Sequence, residues 1–357
     1  MTDLITGMAI APKKIGTAAA VVAFAMVLTA PYTSASPEHR NDVRKVEYSL
    51  GDRAFQVPGF HVEPGGPVAD LELTAVVHAP RTLVGKRPLV LLAHGFWKPC
   101  QNEQWVWPCP QGDPFPSYRG YDYLGEELAR QGFVVVSVSV NGVNAGEMGQ
   151  PADVARAALM SKHLEMWRDL NDGKGPLAGR LKGFKNHVDL TSVGTLGHSR
   201  GGRGAVYQAS DKHVTELPAG VRIKAVLPLA PADYYAPDPE APQNLDYRIT
   251  KIPFAVMTGS CDGAVNGGTF VDNAKGRNLV PIHAVTPKYA NHNYFNTEWS
   301  YDNDSRCPDT GLSPEQQRKV ATTYIPAFFR QYLHGRPNPI VSRGFPGVDV
   351  VTHQPIG

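Results

Sequence analysis

Continuous apolar runs recur along this chain and alternate with segments in which apolar residues repeat every three to four positions. The continuous runs predict strands buried on both faces, and the repeating segments predict amphipathic helices. The predicted buried strands cover residues 88–93, 133–140, 190–196, 223–229, 252–257 and 279–285. Upstream of them, residues 45–80 alternate like two strands joined by a Pro/Gly-rich turn at 64–67.

Helices are predicted between and after these strands. Residues 121–131 and 153–170 carry their apolar side chains on one face. The last helix begins at a capping box headed by Ser313, is expected to kink at Pro326 and ends at Gly335. This order predicts an α/β fold with a mostly parallel central sheet and helices on both faces.

The length and composition of the chain favour one domain after a leader segment. The chain has 357 residues, 42% of them hydrophobic, and neither a repeat nor a linker divides it. Lys13 and Lys14 precede an apolar run at 15–30 and small residues at 33–36. This is the pattern of a secretory signal peptide, with cleavage expected after Ala35; the alternative is an uncleaved membrane anchor. We expect residues 1–35 to be the signal and 36–357 a single secreted domain without stable membrane insertion.

The net charge limits the possible binding partners, and the cysteine content bears on the compartment in which the protein folds. The net charge is +2 and no basic block stands out, so nothing indicates nucleic-acid binding. Four cysteines, Cys100, Cys109, Cys261 and Cys307, allow three pairings into two disulfides. Pairing of neighbours in sequence is favoured because a short loop costs little entropy to close. The cysteine spacing does not suit zinc, and we expect neither a metal nor an organic cofactor.

A glycine-flanked serine follows the predicted strand 190–196. The residues at 197–201 read Gly-His-Ser-Arg-Gly, the G-x-S-x-G pattern of a sharp turn between a strand and a helix. A Cβ at either flank would clash there, and the turn presents Ser199 Oγ at the carboxyl edge of the sheet. It also aims the Arg200 N–H at a developing oxyanion. The pattern alone also fits an ordinary glycine-rich turn, so the rest of the chain decides.

An acid and a histidine follow in suitable places. A serine hydroxyl becomes a nucleophile when a histidine takes its proton and a carboxylate orients that histidine. Asp262 lies on the loop after strand 252–257, and His292 lies between the last buried run and the final helix. Because loops that leave parallel strands meet at one sheet edge, we predict Asp262 as the acid and His292 as the base.

The competing residues have simpler interpretations. Asp272 lies further into its connection and is typical of a solvated helix residue. His283 falls inside a predicted strand as a packed residue, and His94 ends an earlier strand as a structural one. His198 is next to the serine but is expected to point along the wrong side of the turn.

A second oxyanion donor is expected after strand 88–93. Gly95 lets the chain turn there, and we predict that the Phe96 N–H acts beside the Arg200 N–H.

The insert at 97–121 is rich in aromatic residues and contains two of the cysteines. We predict that Trp97, Trp105 and Trp107 line a site for an apolar acyl or aromatic group. The alternative is a surface flap that only covers the sheet edge. A Cys261–Cys307 bond would brace the acid and histidine loops, or act as a general staple.

These segments together resemble the α/β-hydrolase superfamily over nearly the whole mature chain. The resemblance rests on His94-Gly95-Phe96, on Gly-His-Ser-Arg-Gly-Gly at 197–202, and on Asp262 and His292 in that order. The serine motif resembles that of chlorophyllases, but the cysteine-bearing insert after strand 88–93 departs from their pattern and argues against the chlorophyllase substrate. The wider arrangement is similar to secreted lipases, cutinase-like polyester hydrolases and relatives of dienelactone hydrolase.

The expected function is that of a secreted serine hydrolase. It would cleave carboxylic esters of small molecules, lipids or polymers through an acyl-enzyme formed on Ser199. The alternatives are an amidase or peptidase with the same residues, and a non-catalytic binding protein of the same fold.

Asp302, Asp304 and Asp309 suggest Ca²⁺ by their spacing, but they lack the pattern of an EF-hand, so an exposed acidic loop is favoured.

Overall fold

The apolar runs form strands of a twisted sheet whose two faces are covered by the amphipathic segments. The structure, a computed structural model, describes residues 42–234, 243–299, 304–307 and 310–357. These residues all belong to one compact unit, Glu38–Gly357. The predicted signal segment lies outside the described residues.

The strands of the described residues are β1 (Val43–Ser49), β2 (Phe55–His61), β3 (Val68–Leu71), β4 (Thr74–Pro80), β5 (Arg87–Ala93), β6 (Val134–Val138), β7 (Val188–His198), β8 (Ile223–Leu229), β9 (Phe254–Met257), β10 (Ile282–Pro287) and β11 (Val348–His353). The helices are α1 (Asp122–Arg130), α2 (Asn141–Ala145), α3 (Gln150–Asn171), α4 (Arg200–Ala209), α5 (Gly268–Ala274), α6 (Pro314–His334) and α7 (Ile340–Arg343).

Nine strands form the main sheet in the order β1-β4-β6-β5-β7-β8-β9-β10-β11. The six strands from β6 to β10 pair in parallel, and β1, β4 and β11 add antiparallel pairings at the two edges. The prediction of a mostly parallel α/β sheet is therefore confirmed. Each of the six predicted buried runs became one of the parallel strands.

The prediction of two strands in residues 45–80 was wrong, because four strands form there. The Pro/Gly-rich turn at 64–67 joins only β2 and β3, which make a separate two-stranded sheet. Glu72 lies between β3 and β4 with its carboxylate buried, and it accepts hydrogen bonds from the N–H groups of Asn141 and Gly142. This anchor interrupts the strand and returns the chain to the main sheet at β4.

Alternate residues of the central strands enter two separate cores, as expected for a sheet covered on both faces. Leu89 and Leu91 of β5 pack into the core that contains residues of α3 and α4. Val90 and Leu92 pack into the core that contains residues of α1 and α6. The capping box at Ser313 is present, and Gly335 ends α6 with φ of 64°, as predicted.

The strand order places the ends of β5 and β7 at a point where the chain reverses its direction across the sheet. From β5 the chain moves outward to β6, then returns to β7 and continues outward on the other side through β10. In open α/β sheets the crevice at such a point, outside the carboxyl ends of the strands, is the usual ligand site.

Two disulfides join Cys100 to Cys109 and Cys261 to Cys307, which confirms the predicted pairing. Disulfides of this kind are typical of proteins that fold in an oxidising compartment. Within the ranges given above, no helix combines the length and apolar character needed to cross a bilayer.

Candidate active site

The turn at Ser199 joins β7 directly to α4 and is tightly packed. Ser199 has φ of 53° and ψ of −123°, a backbone conformation that L-residues rarely adopt. A Cβ on Gly197 would collide with the backbone of Gly201, and a Cβ on Gly201 would collide with the Ala93 carbonyl. The flanking glycines are therefore a steric requirement of this turn.

Three predicted residues meet at the carboxyl edge of the sheet. Ser199 Oγ lies 3.0 Å from His292 Nε2, and His292 Nδ1 lies 2.9 Å from Asp262 Oδ2. All three side chains are buried. Because a carboxylate only accepts hydrogen bonds, the ring proton of His292 lies on Nδ1, and Nε2 is free to accept from the serine hydroxyl.

The Asp262 carboxylate is fixed by its own loop. Its Oδ1 accepts hydrogen bonds from the N–H groups of Ala264 and Val265, both at 2.9 Å. Arg306 donates from Nε to the Asp262 carbonyl oxygen. Hydrogen bonds therefore hold both the carboxylate of Asp262, which faces His292, and its main-chain carbonyl.

The main chain of His292 is held at both its N–H and its carbonyl. The N–H donates to the Asp304 carbonyl at 3.3 Å, and the carbonyl accepts from His198 Nε2 at 3.0 Å. His198 Nδ1 then accepts from the Tyr121 hydroxyl at 2.8 Å. Burial lowers the pKa of His198 well below its usual value, so the ring is neutral with its proton on Nε2. The sequence predicts no part for His198, and the structure places it against the main chain of His292.

The loop after β5 lies against the serine turn, and hydrogen bonds to its Gly95 carbonyl fix the orientation of its main chain. The Gly95 carbonyl accepts from His94 Nδ1 at 2.8 Å and from Asn144 Nδ2 at 3.0 Å. Since the C=O and the following N–H of a trans peptide point in opposite directions, these bonds orient the Phe96 N–H away from Asn144. A Cβ on Gly95 would lie 2.7 Å from Ser199 Cβ. This glycine permits the close approach that the sequence predicts.

A buried arginine is connected to that loop through the side chain of Asn144. Arg156 of α3 donates from Nη2 to Asn144 Oδ1 at 2.7 Å and from Nη1 to the Ala152 carbonyl at 3.3 Å. Burial lowers its pKa to about 9, which leaves the guanidinium charged at neutral pH. The chain Arg156–Asn144–Gly95 thus connects a core helix to the predicted oxyanion loop.

A cavity of about 600 Å³ opens onto Ser199 and His292. Its walls include Phe96, Trp97 and Trp105, with the Phe96 and Trp105 rings stacked at 5.0 Å between centroids. The Cys100–Cys109 disulfide closes the loop that carries Trp105. A volume of this order suits a small organic ligand.

Trp107, which the sequence places with the other two tryptophans, does not line this cavity. Its ring N–H donates to the Asp52 carbonyl at 2.9 Å, and its side chain lines a separate cavity together with Glu72 and Tyr118. The prediction that Trp107 lines the site was wrong because the insert turns back at the Cys100–Cys109 disulfide, toward β3 and the loop after β1.

The competing residues occupy the positions that the sequence predicts for them. His283 is packed between the hydroxyls of Thr352 and Tyr332, and Asp272 is an exposed residue of α5 that pairs with Lys275. Asp302 and Asp309 lie outside the described residues. Among the residues that are described, no group of three or more His, Cys, Asp or Glu side chains could hold a metal ion.

Arg156 and Asn144, which support the loop after β5, have no clear signature in the sequence. Arg156 is a charged residue on the apolar side of a helical repeat, and Asn144 lies in a short segment after β6. Their partners are 12 and 49 residues away in the chain, so only the folded structure shows the connection.

The chain matches no protein-family model and no curated protein. Its function is therefore inferred from the site itself.

Proposed function

We propose that the protein is a serine hydrolase that cleaves carboxylic esters through an acyl-enzyme. The observation that carries the proposal is the continuous contact from Ser199 Oγ through the His292 ring to the Asp262 carboxylate. A serine, a histidine and an aspartate in this relation can generate a nucleophile at neutral pH without a cofactor.

In the first half of the proposed reaction, His292 Nε2 takes the hydroxyl proton as Ser199 Oγ attacks the ester carbonyl carbon. The negative charge then moves to the carbonyl oxygen, where the N–H groups of Phe96 and Arg200 are assigned as donors. Asp262 stabilises the imidazolium that forms. Collapse of the tetrahedral species breaks the carbon–oxygen bond to the alcohol, which leaves with the proton from His292.

In the second half, water replaces the alcohol. His292 takes a proton from the water, whose oxygen attacks the acyl carbon and forms a second tetrahedral species. That species releases the carboxylic acid, and the proton returns from His292 to Ser199 Oγ. The enzyme is restored with no net gain or loss of protons on its side chains.

Membership of the α/β-hydrolase superfamily is part of the proposal. It is supported by the position of Ser199 after β7, of Asp262 after β9 and of His292 after β10 in a mostly parallel sheet. It is also supported by the Gly95 loop after β5, which lies directly against the serine turn.

Removal of the nucleophile is the direct test. We expect Ser199→Ala to lower kcat for 4-nitrophenyl butyrate by a factor on the order of 10⁶, since loss of the serine in such a set has that effect. A fluorophosphonate probe should label Ser199 in the wild type and leave the variant unlabelled, as read by peptide mass spectrometry. Circular dichroism checks that the variant is folded.

The matched control is Ser192→Ala on the same strand, where the hydroxyl donates to the Leu333 carbonyl. This variant should keep both activity and labelling. A wild-type protein inert to the ester and to the probe would contradict the proposal and favour a binding protein. Faster turnover of the matched 4-nitroanilide than of the ester would favour an amidase.

A further inference from the structure

Arg200 contributes more than its main chain to the cavity. Its guanidinium lies over the Phe96 ring, with Cζ 3.8 Å from the ring centroid, and Nη1 lies 2.8 Å from Met148 Sδ. The side chain is half-buried and forms part of the cavity wall beside Ser199. Within the described residues, its close contacts are thus with a π face and a thioether.

The carboxylate behind Arg200 is already engaged. Asp153 is buried, receives Arg203 Nε at 2.7 Å and accepts the Tyr247 hydroxyl at 2.7 Å. Arg156 Nη1 also lies 3.8 Å from it. Among the described residues, Arg203, Arg156 and Arg200 all interact with the Asp153 carboxylate, and Arg200 is the one of the three that lines the cavity.

The other charged groups of the cavity wall act differently. Lys98 is paired with Glu103 at 2.6 Å, so these two charges largely compensate each other. Asp304 adds a carboxylate to the wall on the side of His292 and Gly263, whose N–H groups donate to its main-chain carbonyl. The cationic side of the cavity is therefore the side of Arg200 and Phe96.

We propose that Arg200 makes this site selective for anionic esters, in which the part of the substrate beside the scissile bond carries a carboxylate. This inference rests on the proposed esterase function. The guanidinium fork would bind the carboxylate, and Trp97 and Trp105, which also line the cavity, would pack against the apolar part of the substrate. Because Asp153 is already engaged by Arg203 and Tyr247, the Arg200 guanidinium favours an anion at this position, and the contact with Phe96 holds the guanidinium in place.

The test uses two chromogenic esters that differ in one charge. One is the mono-4-nitrophenyl ester of adipic acid, and the other is the same ester with its free carboxylate methylated. The measured quantity is the ratio of kcat/KM for the anionic ester to kcat/KM for the capped ester. Taking this ratio cancels any effect of Arg200 substitutions on the shared chemical step.

We expect Arg200→Met to lower this ratio about tenfold, the lower end for a hydrogen-bonded charge in a partly solvated site, mainly through KM of the anionic ester. Arg200→Lys should restore part of it, and raising the salt concentration should lower it in the wild type. The matched control is Lys224→Met, which removes an exposed positive charge from the amino end of β8, at the opposite edge of the sheet. This control should leave the ratio unchanged.

The outcomes separate the two proposals. If the wild type turns over both esters and Arg200→Met lowers both equally, Arg200 only supports the loop, and its role in selectivity is wrong while the esterase function stands. A fall of the ratio in Lys224→Met equal to that in Arg200→Met would assign the preference to net charge and would also overturn the role of Arg200. A wild type inert to both esters would overturn the esterase function and this inference with it.

Discussion

His198 is next to the proposed nucleophile in the sequence, but its hydrogen bonds lead to the proposed base. Its Nε2 proton goes to the His292 carbonyl, and the Tyr121 hydroxyl satisfies its other nitrogen. The Trp299 ring lies over it, with 5.2 Å between ring centroids. Since the His292 ring must meet Ser199 and Asp262 at once, a fixed main chain at His292 is a condition for the geometry of the site.

We therefore predict that His198 is a positioning residue. His198→Ala should lower kcat for a neutral ester by about 10- to 100-fold, because loss of alignment by a fraction of an ångström weakens proton transfer. KM should stay within about twofold, since the ring does not line the cavity. His198→Gln should recover part of kcat, because its amide can donate to the same carbonyl. Steady-state kinetics of the two variants give both quantities.

A purely structural role would give a different result. It would lower thermal stability in both variants while the folded protein kept the kcat of the wild type. Tyr121→Phe provides a second check, because it removes only the hydroxyl that fixes the ring proton of His198. An unchanged kcat in all three variants would contradict the positioning role.

The sequence predicts which loops meet but not what holds them. Ser199, Asp262 and His292 could be chosen because parallel strands bring their following loops to one edge, whatever the details of packing. The positions of His198, Asn144 and Arg156 depend on tertiary hydrogen bonds that leave no periodic signal. For the same reason, the sequence could not separate Trp105 from Trp107.

A short strap at 304–307 connects the acid loop to the histidine loop. The Asp304 carbonyl accepts from the N–H groups of Gly263 and His292, and the Arg306 N–H donates to the Cys261 carbonyl at 3.0 Å. The Cys261–Cys307 disulfide closes the strap covalently. The same few residues thus support both Asp262 and His292.

We predict that opening this disulfide affects both stability and turnover. Cys261→Ala with Cys307→Ala frees a connection of 46 residues, which corresponds to a loss of about 4 kcal/mol in the chain-entropy model. It should also lower kcat, because the strap no longer fixes Asp262 and His292. Urea unfolding and ester kinetics measure the two effects.

The second disulfide is the matched control. Cys100→Ala with Cys109→Ala frees only nine residues, about 2.5 kcal/mol in the same model, and loosens the loop that carries Trp105. This pair should change KM more than kcat. Equal effects of the two pairs on kcat would show that the strap is a general staple.

Among the strands, those buried on both faces could be predicted from the sequence, whereas β11 at the sheet edge and the separate strands β2 and β3 could not. The central strands are apolar on both faces, so each run identifies one strand. β11 alternates between buried and exposed positions at an edge of the sheet, and no continuous run marks it. β2 and β3 form a separate two-stranded sheet, and the Glu72 contact that anchors the chain between β3 and β4 is with residues about 70 positions away.

Buried neutral histidines tie the stability of the whole molecule to pH. Five histidines of the described residues are at most 1% exposed, and burial lowers the pKa of each: His78, His94, His163, His198 and His283. In the unfolded chain these side chains gain a proton near pH 6.5, whereas in the folded protein they stay neutral to lower pH. The unfolded state therefore binds more protons below pH 6.5, and acid favours unfolding.

His283 offers the cleanest measurement of this linkage, since it lies between the Thr352 and Tyr332 hydroxyls on β10, away from the serine turn. Its folded pKa is lowered to about 4, so its contribution to stability is complete above pH 6.5 and is lost as the pH falls toward 4. We expect His283→Gln to remove about 1.4 kcal/mol per pH unit from the pH dependence of the unfolding free energy across that range. The difference at pH 8 measures the packing cost of the substitution alone, and urea midpoints between pH 8 and pH 4.5 give the rest. Parallel curves for the wild type and the variant would contradict the linkage, because buried carboxylates such as Glu72, whose pKa burial raises, are the same in both proteins.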